Sequence, residues 1–167
     1  MYSTTPLQRA ALAIAVLAGC GPDPKPDPSA SRSSAVAGPR EIEFHTPFGR
    51  PQYPFSPAVQ AGQLLFLAGQ LGTDSTGRLV AGGIKAETRQ AMENIRDVLE
   101  RTGSSLDRVV KCTVMMADMA EWPAMNAVYA GYFPRQFPAR SAFGATGLAL
   151  GARVEIECVA LAGRDSE

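Results

Sequence analysis

Two charged side chains near the end of the chain carry groups that a hydrolytic site would use. Arg140 lies in the segment Phe137-Pro138-Ala139-Arg140-Ser141, and Glu155 follows fifteen residues later in Val154-Glu155-Ile156-Glu157. A guanidinium can donate two parallel hydrogen bonds to a carboxylate, and a glutamate carboxylate can take a proton from water. Hydrolysis of a small imino acid would need both groups. Glu157, on the same strand face, is an alternative base, and each of these residues could instead be an ordinary surface charge.

Composition argues against several other kinds of function. The 167 residues suffice for one domain with its own core, and sixteen Lys and Arg against sixteen Asp and Glu leave no net charge. A neutral chain has no electrostatic footprint for nucleic acid, so we expect no nucleic acid as a partner. The single histidine, His45, excludes a His-based triad or a multi-histidine metal site within one subunit, and no metal or cofactor is predicted.

The first twenty residues have the pattern of a bacterial lipoprotein export signal. Arg9 precedes an apolar run at residues 10–18, which is too short to span a bilayer core of about 30 Å as a helix. The run ends in Leu17-Ala18-Gly19-Cys20, which is similar to the lipobox, with Cys20 as the lipidated residue. We therefore predict a lipoprotein signal peptide at residues 1–20. A plain cleaved signal, or an apolar tail with an incidental cysteine, is the alternative.

A tether and a folded domain are expected after Cys20. Residues 21–40 contain five prolines and few large apolar side chains, so they cannot offset the entropy cost of ordering and should form a disordered tether. The folded domain is placed at residues 41–163, with a short tail at 164–167. The predicted location is the periplasmic side of a bacterial membrane. Gly21 favours the outer membrane slightly, because the aspartate that signals inner-membrane retention is missing there.

The two remaining cysteines, Cys112 and Cys158, both lie in apolar runs typical of strands. A buried thiol that packs as a small hydrophobe is the commonest interpretation of such a cysteine. A disulfide between the two is also possible in an exported protein. The sequence leaves both interpretations open.

The spacing of apolar residues predicts an α+β domain with a mixed six-stranded sheet and two helices. The strands are expected at residues 41–46, 57–60, 64–68, 109–117, 139–146 and 153–162. The helices are expected at residues 84–101, beneath a charged outer face, and 121–133, with Pro123 in the first turn. In the second helix, the core stripe is assigned to Trp122, Met125, Val128, Tyr129 and Tyr132.

Two helices can cover only one face of such a sheet, so the other face needs a partner. In the last strand, residues 154, 156, 158 and 160 point to one side, and residues 155, 157, 159 and 161 to the other. Both sets contain apolar side chains. Because an apolar sheet face is unfavourable in water, we predict that it is buried in a closed oligomer.

Six stretches, in the same order along residues 55–163, resemble the RidA/YjgF family of reactive-intermediate (imine) deaminases. They are Phe55-Ser56-Pro57-Ala58-Val59-Gln60, Phe66-Leu67-Ala68-Gly69-Gln70, Thr88-Arg89-Gln90-Ala91-Met92-Glu93-Asn94-Ile95, Met125-Asn126-Ala127-Val128-Tyr129, Phe137-Pro138-Ala139-Arg140-Ser141 and Val154-Glu155-Ile156-Glu157. Each stretch alone is a weak signal, and their shared order makes the resemblance specific.

The resemblance implies a chorismate-mutase-like α+β fold with both helices on one face of the sheet. It also implies a homotrimer with three active sites in the clefts between neighbouring subunits. The implied reaction is hydrolysis of 2-imino acids, of the 2-iminobutanoate and 2-iminopropanoate type, to 2-oxo acids and ammonia. Such an enzyme is a hydrolase acting on C–N bonds, and its partners are small 2-imino and 2-oxo acids.

The resemblance also implies roles for individual residues. Arg140 is similar to the family arginine that binds the substrate carboxylate, and Glu155 to the glutamate that positions and deprotonates the attacking water. Between the two glutamates, the spacing from Arg140 matches the family for Glu155 and not for Glu157. Gly69 and Asn126 match positions that line the same cleft, although each could instead be structural, as a turn glycine and a helix-surface amide. The backbone around Ala142 is expected to contact substrate or water.

Three alanines depart from the family pattern. Ala58, Ala68 and Ala142 stand where many family deaminases have tyrosine, serine and cysteine side chains. The pocket would therefore have fewer polar groups, and its smaller walls could either admit a bulkier imine or lower the activity on the usual substrates. The alternative function is a non-catalytic, lipid-anchored trimer that binds small carboxylates or a protein partner.

Overall fold

A computed structural model describes residues 42–49 and 53–163, where the elements follow the predicted order with one strand added. The strands are β1 (Ile42–His45), β2 (Ala58–Ala61), β3 (Leu64–Leu67), β4 (Gln70–Leu71), β5 (Val109–Met116), β6 (Ala139–Gly144) and β7 (Val154–Leu161). The helices are α1 (Gly83–Arg101) and α2 (Trp122–Ala130). The signal peptide with Cys20, the tether and the tail lie outside the described residues and stay predictions.

The added strand is β4, which lies just beyond the predicted third strand at residues 64–68. β3 and β4 both pair with β7, and residues 68 and 69 between them leave the ladder. The Ala68 amide instead donates to the Pro57 carbonyl at 3.0 Å. Within the described part of the chain, the sheet therefore has seven strands rather than six, and Gly69 lies in the gap between β3 and β4.

The sheet is mixed, and both helices pack on the same face of it. The strand order is β1-β2-β3-β7-β5-β6, with β4 also on β7, and among the strands of the described residues only β5 and β6 pair in parallel. The core joins Ile95 of α1 and Met125 of α2 to the strand residues Val114 and Ile156, all of which are fully buried. The predicted α+β architecture is confirmed.

α1 has the predicted bounds to within one residue, and Gly103 follows it with a left-handed φ of 78°. α2 is shorter than predicted, because it ends at Ala130 rather than at residue 133. The amides of residues 131–133 make bonds of the tighter i→i−3 type, and Pro134 prevents the helix from continuing. In the part of the chain that the structure describes, no helix is long and apolar enough to cross a membrane.

The second face of the sheet carries exposed apolar side chains, as the alternation in β7 predicts. Buried and less buried residues alternate along this strand. The large apolar side chains exposed on this face are Ile42, Phe44, Leu64, Phe66, Phe143 and Leu161. No helix of the described residues covers them, and their apolar surface therefore contacts water in a single protomer.

Cys112 and Cys158 form a disulfide. They lie directly opposite each other on β5 and β7, their Cα atoms are 4.1 Å apart, and both side chains are buried in the core. This separation is close to the spacing of cross-strand neighbours that share no backbone hydrogen bonds. The sequence leaves a buried thiol and a disulfide open, and the structure shows the disulfide.

Reducing this disulfide is expected to lower the free energy of unfolding by about 2–4 kcal/mol, because the bridge closes a loop in the unfolded chain. The two cysteines are 46 residues apart in sequence. Urea unfolding with and without a reductant measures the effect. The Cys112→Ala/Cys158→Ala variant is the control, and its midpoint should not respond to the reductant. A wild-type midpoint that is equally unresponsive would contradict the prediction.

Candidate active site

Arg140 lies on the edge strand β6 and points toward the helix-covered face of the sheet. The parallel register places it beside the buried Cys112 of β5. Its Nη2 donates a hydrogen bond of 2.7 Å to Asn126 Oδ1 on α2, and its Cζ lies 4.5 Å from the ring centroid of Tyr129. Within residues 42–49 and 53–163, Arg140 makes no ion pair. Most of its N–H groups therefore remain available to an anion.

A small groove of about 250 Å³ adjoins this guanidinium. It is lined by Asn126, Tyr129, Ala130, Phe137, Pro138 and Arg140. A groove of this size is below the usual range for drug-sized ligands, so it suits a small organic acid. A larger cavity of about 510 Å³ lies beside it, but Arg135 at that cavity already pairs with Asp107 at 2.6 Å. Among the described residues, no cluster of three His, Cys, Asp or Glu side chains could hold a metal ion.

The aromatic surroundings of Arg140 correct one prediction and add one residue. The sequence predicts Trp122 in the core, but this residue is 37% exposed, and its ring centroid lies 5.8 Å from Arg140 Cζ. Trp122 begins α2 and so lies at the rim of the core. Trp122, Asn126 and Tyr129 are spaced i, i+4 and i+7, which places them on one helix face. That spacing could have linked both aromatic residues to the predicted cleft residue Asn126.

Ala142 lies two residues beyond Arg140 on the same face of β6, beside Val114 of β5, and it is partly buried. Ala68 is also partly buried. Ala58 is different, because it is fully buried in the core. Its side chain therefore lines no open cleft of the protomer, and the expectation of a smaller pocket wall at this position is not met.

Glu155 lies on β7 and points to the uncovered face of the sheet, where its neighbours in the ladder are Met115 and Leu71. Burial of its carboxyl group raises its pKa above the ordinary value, and repulsion from Glu157 adds to the shift. A higher pKa makes the carboxylate a stronger base near neutral pH. Glu157 is exposed, whereas Glu155 is partly buried. These surroundings favour Glu155 as the base.

Because Gly69 has no side chain, the Glu155 carboxylate can occupy the space beside it. A Cβ atom added to Gly69 would lie 2.9 Å from Glu155 Cδ and 3.1 Å from Cγ, and it would overlap Oε1. Gly69 thus contacts the candidate base because the strand is interrupted at this point. The sequence predicted both residues for one cleft, and the structure brings these two together.

Replacing Gly69 with alanine is expected to displace the Glu155 carboxylate and to lower the rate of any reaction in which it acts as a base. Stability should change by less than about 1 kcal/mol, since the added methyl meets the flexible end of a side chain. Gly147→Ala is the matched control, because no atom lies within 4 Å of its added Cβ. Steady-state kinetics and thermal unfolding of both variants would test this. Equal activity in the two variants would contradict the prediction.

The two candidate groups occupy opposite faces of the sheet in one protomer. β5 lies between β6 and β7. Arg140 shares the helix-covered face with Asn126 and Ala142, whereas Glu155 shares the uncovered face with Gly69. A single protomer therefore contains two half-sites, and a site that uses both charged groups needs a second copy of the chain.

Comparison with known proteins identifies relatives of this chain. The family model described as Endoribonuclease L-PSP matches residues 48–162. The 2-iminobutanoate/2-iminopropanoate deaminase of Mus musculus is 41% identical over 111 residues, which are 66% of this chain and 82% of the mouse protein.

Solved structures share the fold. The crystal structure of the yeast protein YEO7 has a TM-score of 0.69 and 36% identity, and the match covers 74% of this chain and 100% of the yeast chain. The crystal structure of Escherichia coli TdcF with bound serine has a TM-score of 0.64 and 25% identity, over 71% of this chain and 96% of that chain. On the family model and the mouse relative together, the chain belongs to the RidA/YjgF family and has its α+β fold.

Proposed function

We propose that the protein is a lipid-anchored 2-imino acid deaminase, which hydrolyses reactive imines to 2-oxo acids and ammonia. The observation that supports the proposal most directly is the position of the Arg140 guanidinium. Its guanidinium is held by Asn126 and Tyr129 beside a small groove, and no carboxylate of the described residues pairs with it. A partly buried cation without an acidic partner is a natural site for the carboxylate of a ligand.

The proposed reaction uses Arg140 for binding and Glu155 for proton transfer. The guanidinium holds the substrate carboxylate, and Glu155 takes a proton from a water molecule. The water oxygen bonds to the C=N carbon, the π electrons move to the nitrogen, and the proton held by Glu155 passes to that nitrogen, which gives a carbinolamine. The C–N bond then breaks with its electron pair on nitrogen, while the hydroxyl proton passes through Glu155 to the leaving nitrogen and C=O forms. Ammonia and a 2-oxo acid are the products.

A homotrimer with shared sites is part of the proposal. The apolar residues on the uncovered face of the sheet support burial of that face between subunits. Arg140 at the sheet edge of one protomer would then face Glu155 of the neighbouring subunit. The three subunit interfaces of a trimer would form three such sites. This arrangement requires two copies for each site, as the opposite orientation of the half-sites demands.

The substrate class is supported by what the relatives are reported to act on or bind. The mouse relative is named for 2-iminobutanoate and 2-iminopropanoate. TdcF contains bound serine, a molecule with the same α-carboxylate as a 2-imino acid. The family model is described as an endoribonuclease, but a chain with no net charge offers no electrostatic support for RNA binding.

Export and lipid anchoring are proposed from Cys20 and its preceding apolar run. The disulfide between Cys112 and Cys158 supports an oxidising compartment, because stable disulfides are rare in the cytosol. Cys20→Ser should move the protein from the membrane fraction to the soluble fraction and abolish incorporation of labelled fatty acid. An unchanged membrane fraction and unchanged labelling would reject the anchor and leave the deaminase proposal intact.

The test of activity is ammonia release from imines that an amino-acid oxidase generates in situ. Addition of the purified protein should accelerate ammonia release from the imines of alanine and 2-aminobutanoate. The alternative is a non-catalytic carboxylate-binding trimer. Calorimetric binding of a 2-oxo acid without any acceleration of hydrolysis would favour that alternative.

A mixing experiment tests the shared site. Arg140→Ala and Glu155→Gln proteins should each be nearly inactive, and unfolding and refolding them together at equal amounts should restore about one quarter of wild-type activity. On average, one subunit interface in four would then combine an intact arginine with an intact glutamate from the neighbouring subunit. Mixtures that stay inactive after verified subunit exchange would reject a site shared between protomers.

A further inference from the structure

We infer that Tyr129 is a positioning residue for Arg140, and that the face of its ring sets the plane of the guanidinium. The inference rests on the proposed binding of a substrate carboxylate by Arg140. Tyr129 is not among the cleft residues that the sequence predicted. It acts through Arg140 rather than on the reacting atoms.

Two contacts restrict the orientation of the Arg140 guanidinium plane. Its Cζ lies 4.5 Å from the Tyr129 ring centroid, and its Nη2 donates to Asn126 Oδ1 at 2.7 Å. A cation over an aromatic face is attracted by the negative charge of the π system. A planar group held by one face and one N–H has little freedom left, so its other N–H groups keep a constant direction. The binding of a carboxylate then costs less conformational entropy.

The ring itself is fixed in the core. Tyr129 is 2% exposed, and the Phe133 ring packs against it with the centroids 5.0 Å apart. Burial raises the pKa of Tyr129 to about 12, although the nearby Arg140 acts in the opposite direction. The side chain is therefore neutral at physiological pH, and Arg140 faces a π system rather than a phenolate.

The hydroxyl group does not contribute to this role. Tyr129 Oη is buried and has no hydrogen-bond partner among the described residues. A buried hydroxyl without a partner costs stability rather than adding to it. Phenylalanine should therefore replace tyrosine at this position without loss of substrate binding, whereas an aliphatic side chain should not.

The test compares Tyr129→Phe and Tyr129→Leu with Tyr132→Leu. Tyr132→Leu is the matched control, because the Tyr132 ring centroid lies 5.2 Å from Cζ of a different arginine, Arg96, outside the groove at Arg140. KM and kcat are measured with 2-iminobutanoate, and Kd with 2-oxobutanoate by calorimetry. We expect Tyr129→Leu to raise KM and Kd roughly 3- to 30-fold with a smaller change in kcat. Tyr129→Phe and Tyr132→Leu should bind like the wild type.

A second series keeps the size of the ring and changes only its charge distribution. Phenylalanines with increasing numbers of fluorine atoms are placed at position 129, so that the negative charge on the ring face decreases stepwise. KM and Kd should rise with each step, even if Tyr129→Leu fails to fold. A flat series, or a loss of binding in Tyr129→Phe, would overturn the inference.

The outcomes separate this inference from the proposed function. Turnover by the wild type with a flat fluorine series would reject the role of Tyr129 and keep the deaminase. A stepwise weakening of 2-oxobutanoate binding along the fluorine series, without any turnover, would support the role of Tyr129 and reject the deaminase. If the wild type neither binds nor turns over, both are rejected.

Discussion

Arg140→Lys is expected to lower kcat/KM for 2-imino acids roughly 10- to 100-fold, the equivalent of about 1.5–3 kcal/mol of lost charged hydrogen bonding. Lysine keeps the charge but cannot donate two parallel hydrogen bonds to a carboxylate, and it lacks the planar guanidinium that lies over the Tyr129 ring. Arg140→Ala should lower the value further. Thermal stability should change little, because the Arg140 side chain makes only one hydrogen bond to the described residues.

The control for this substitution is Arg135→Lys. Arg135 is close in sequence, but its side chain is 74% exposed and pairs with Asp107 outside the groove at Arg140. Initial rates of ammonia release at several substrate concentrations would separate KM from kcat. Wild-type kinetics in Arg140→Ala would refute carboxylate binding by this residue, whatever Arg135→Lys does.

Glu155→Gln is expected to lower kcat roughly 10²- to 10⁴-fold, the usual contribution of a general base. Binding of 2-oxo acids should be affected less, because the carboxylate acts on water rather than on the substrate carboxylate. Glu157→Gln is the matched control, since Glu157 is exposed on the same strand and should be dispensable. If Glu157→Gln loses activity and Glu155→Gln retains it, the two assignments are reversed.

The raised pKa of Glu155 also predicts a pH dependence. In the folded protein the carboxyl group is harder to ionise than in the unfolded chain, so ionisation favours unfolding. Wild-type stability should therefore fall as pH rises from the ordinary glutamate pKa through the raised one. Glu155→Gln should lack this decrease and melt above the wild type at neutral pH. The two proteins should converge below the ordinary glutamate pKa, and thermal unfolding at several pH values would measure this.

The pH profile of activity provides an independent measurement of the same group. If Glu155 is the base, kcat/KM should fall on the acid side at a pH above the ordinary carboxyl range, because the protonated form cannot accept a proton from water. The residual activity of Glu155→Gln should lack this acid limb. An acid limb at the ordinary carboxyl pKa would indicate that a different group is titrating.

Local patterns were sufficient for most of the secondary structure. The apolar stripe of α1 and the left-handed Gly103 after it define that helix within one residue, because both signals act over a few neighbouring positions. The ends of α2 were less accurate, since the i→i−3 turn before Pro134 continues the helical pattern without being α-helix. β4 was missed because a strand of two residues is too short to show an alternating pattern.

By itself, the sequence determined the family, the α+β class, the order of the elements, and Arg140 and Glu155 as the candidate groups. Only the tertiary structure decided that Arg140 points toward α2 and Glu155 away from it. Alternation assigns faces within one strand, but the relative register of β6, β5 and β7 depends on how the core packs. The same register places Cys112 opposite Cys158, and helix packing places Tyr129 under Arg140. These contacts join residues far apart along the chain, so no local spacing specifies them.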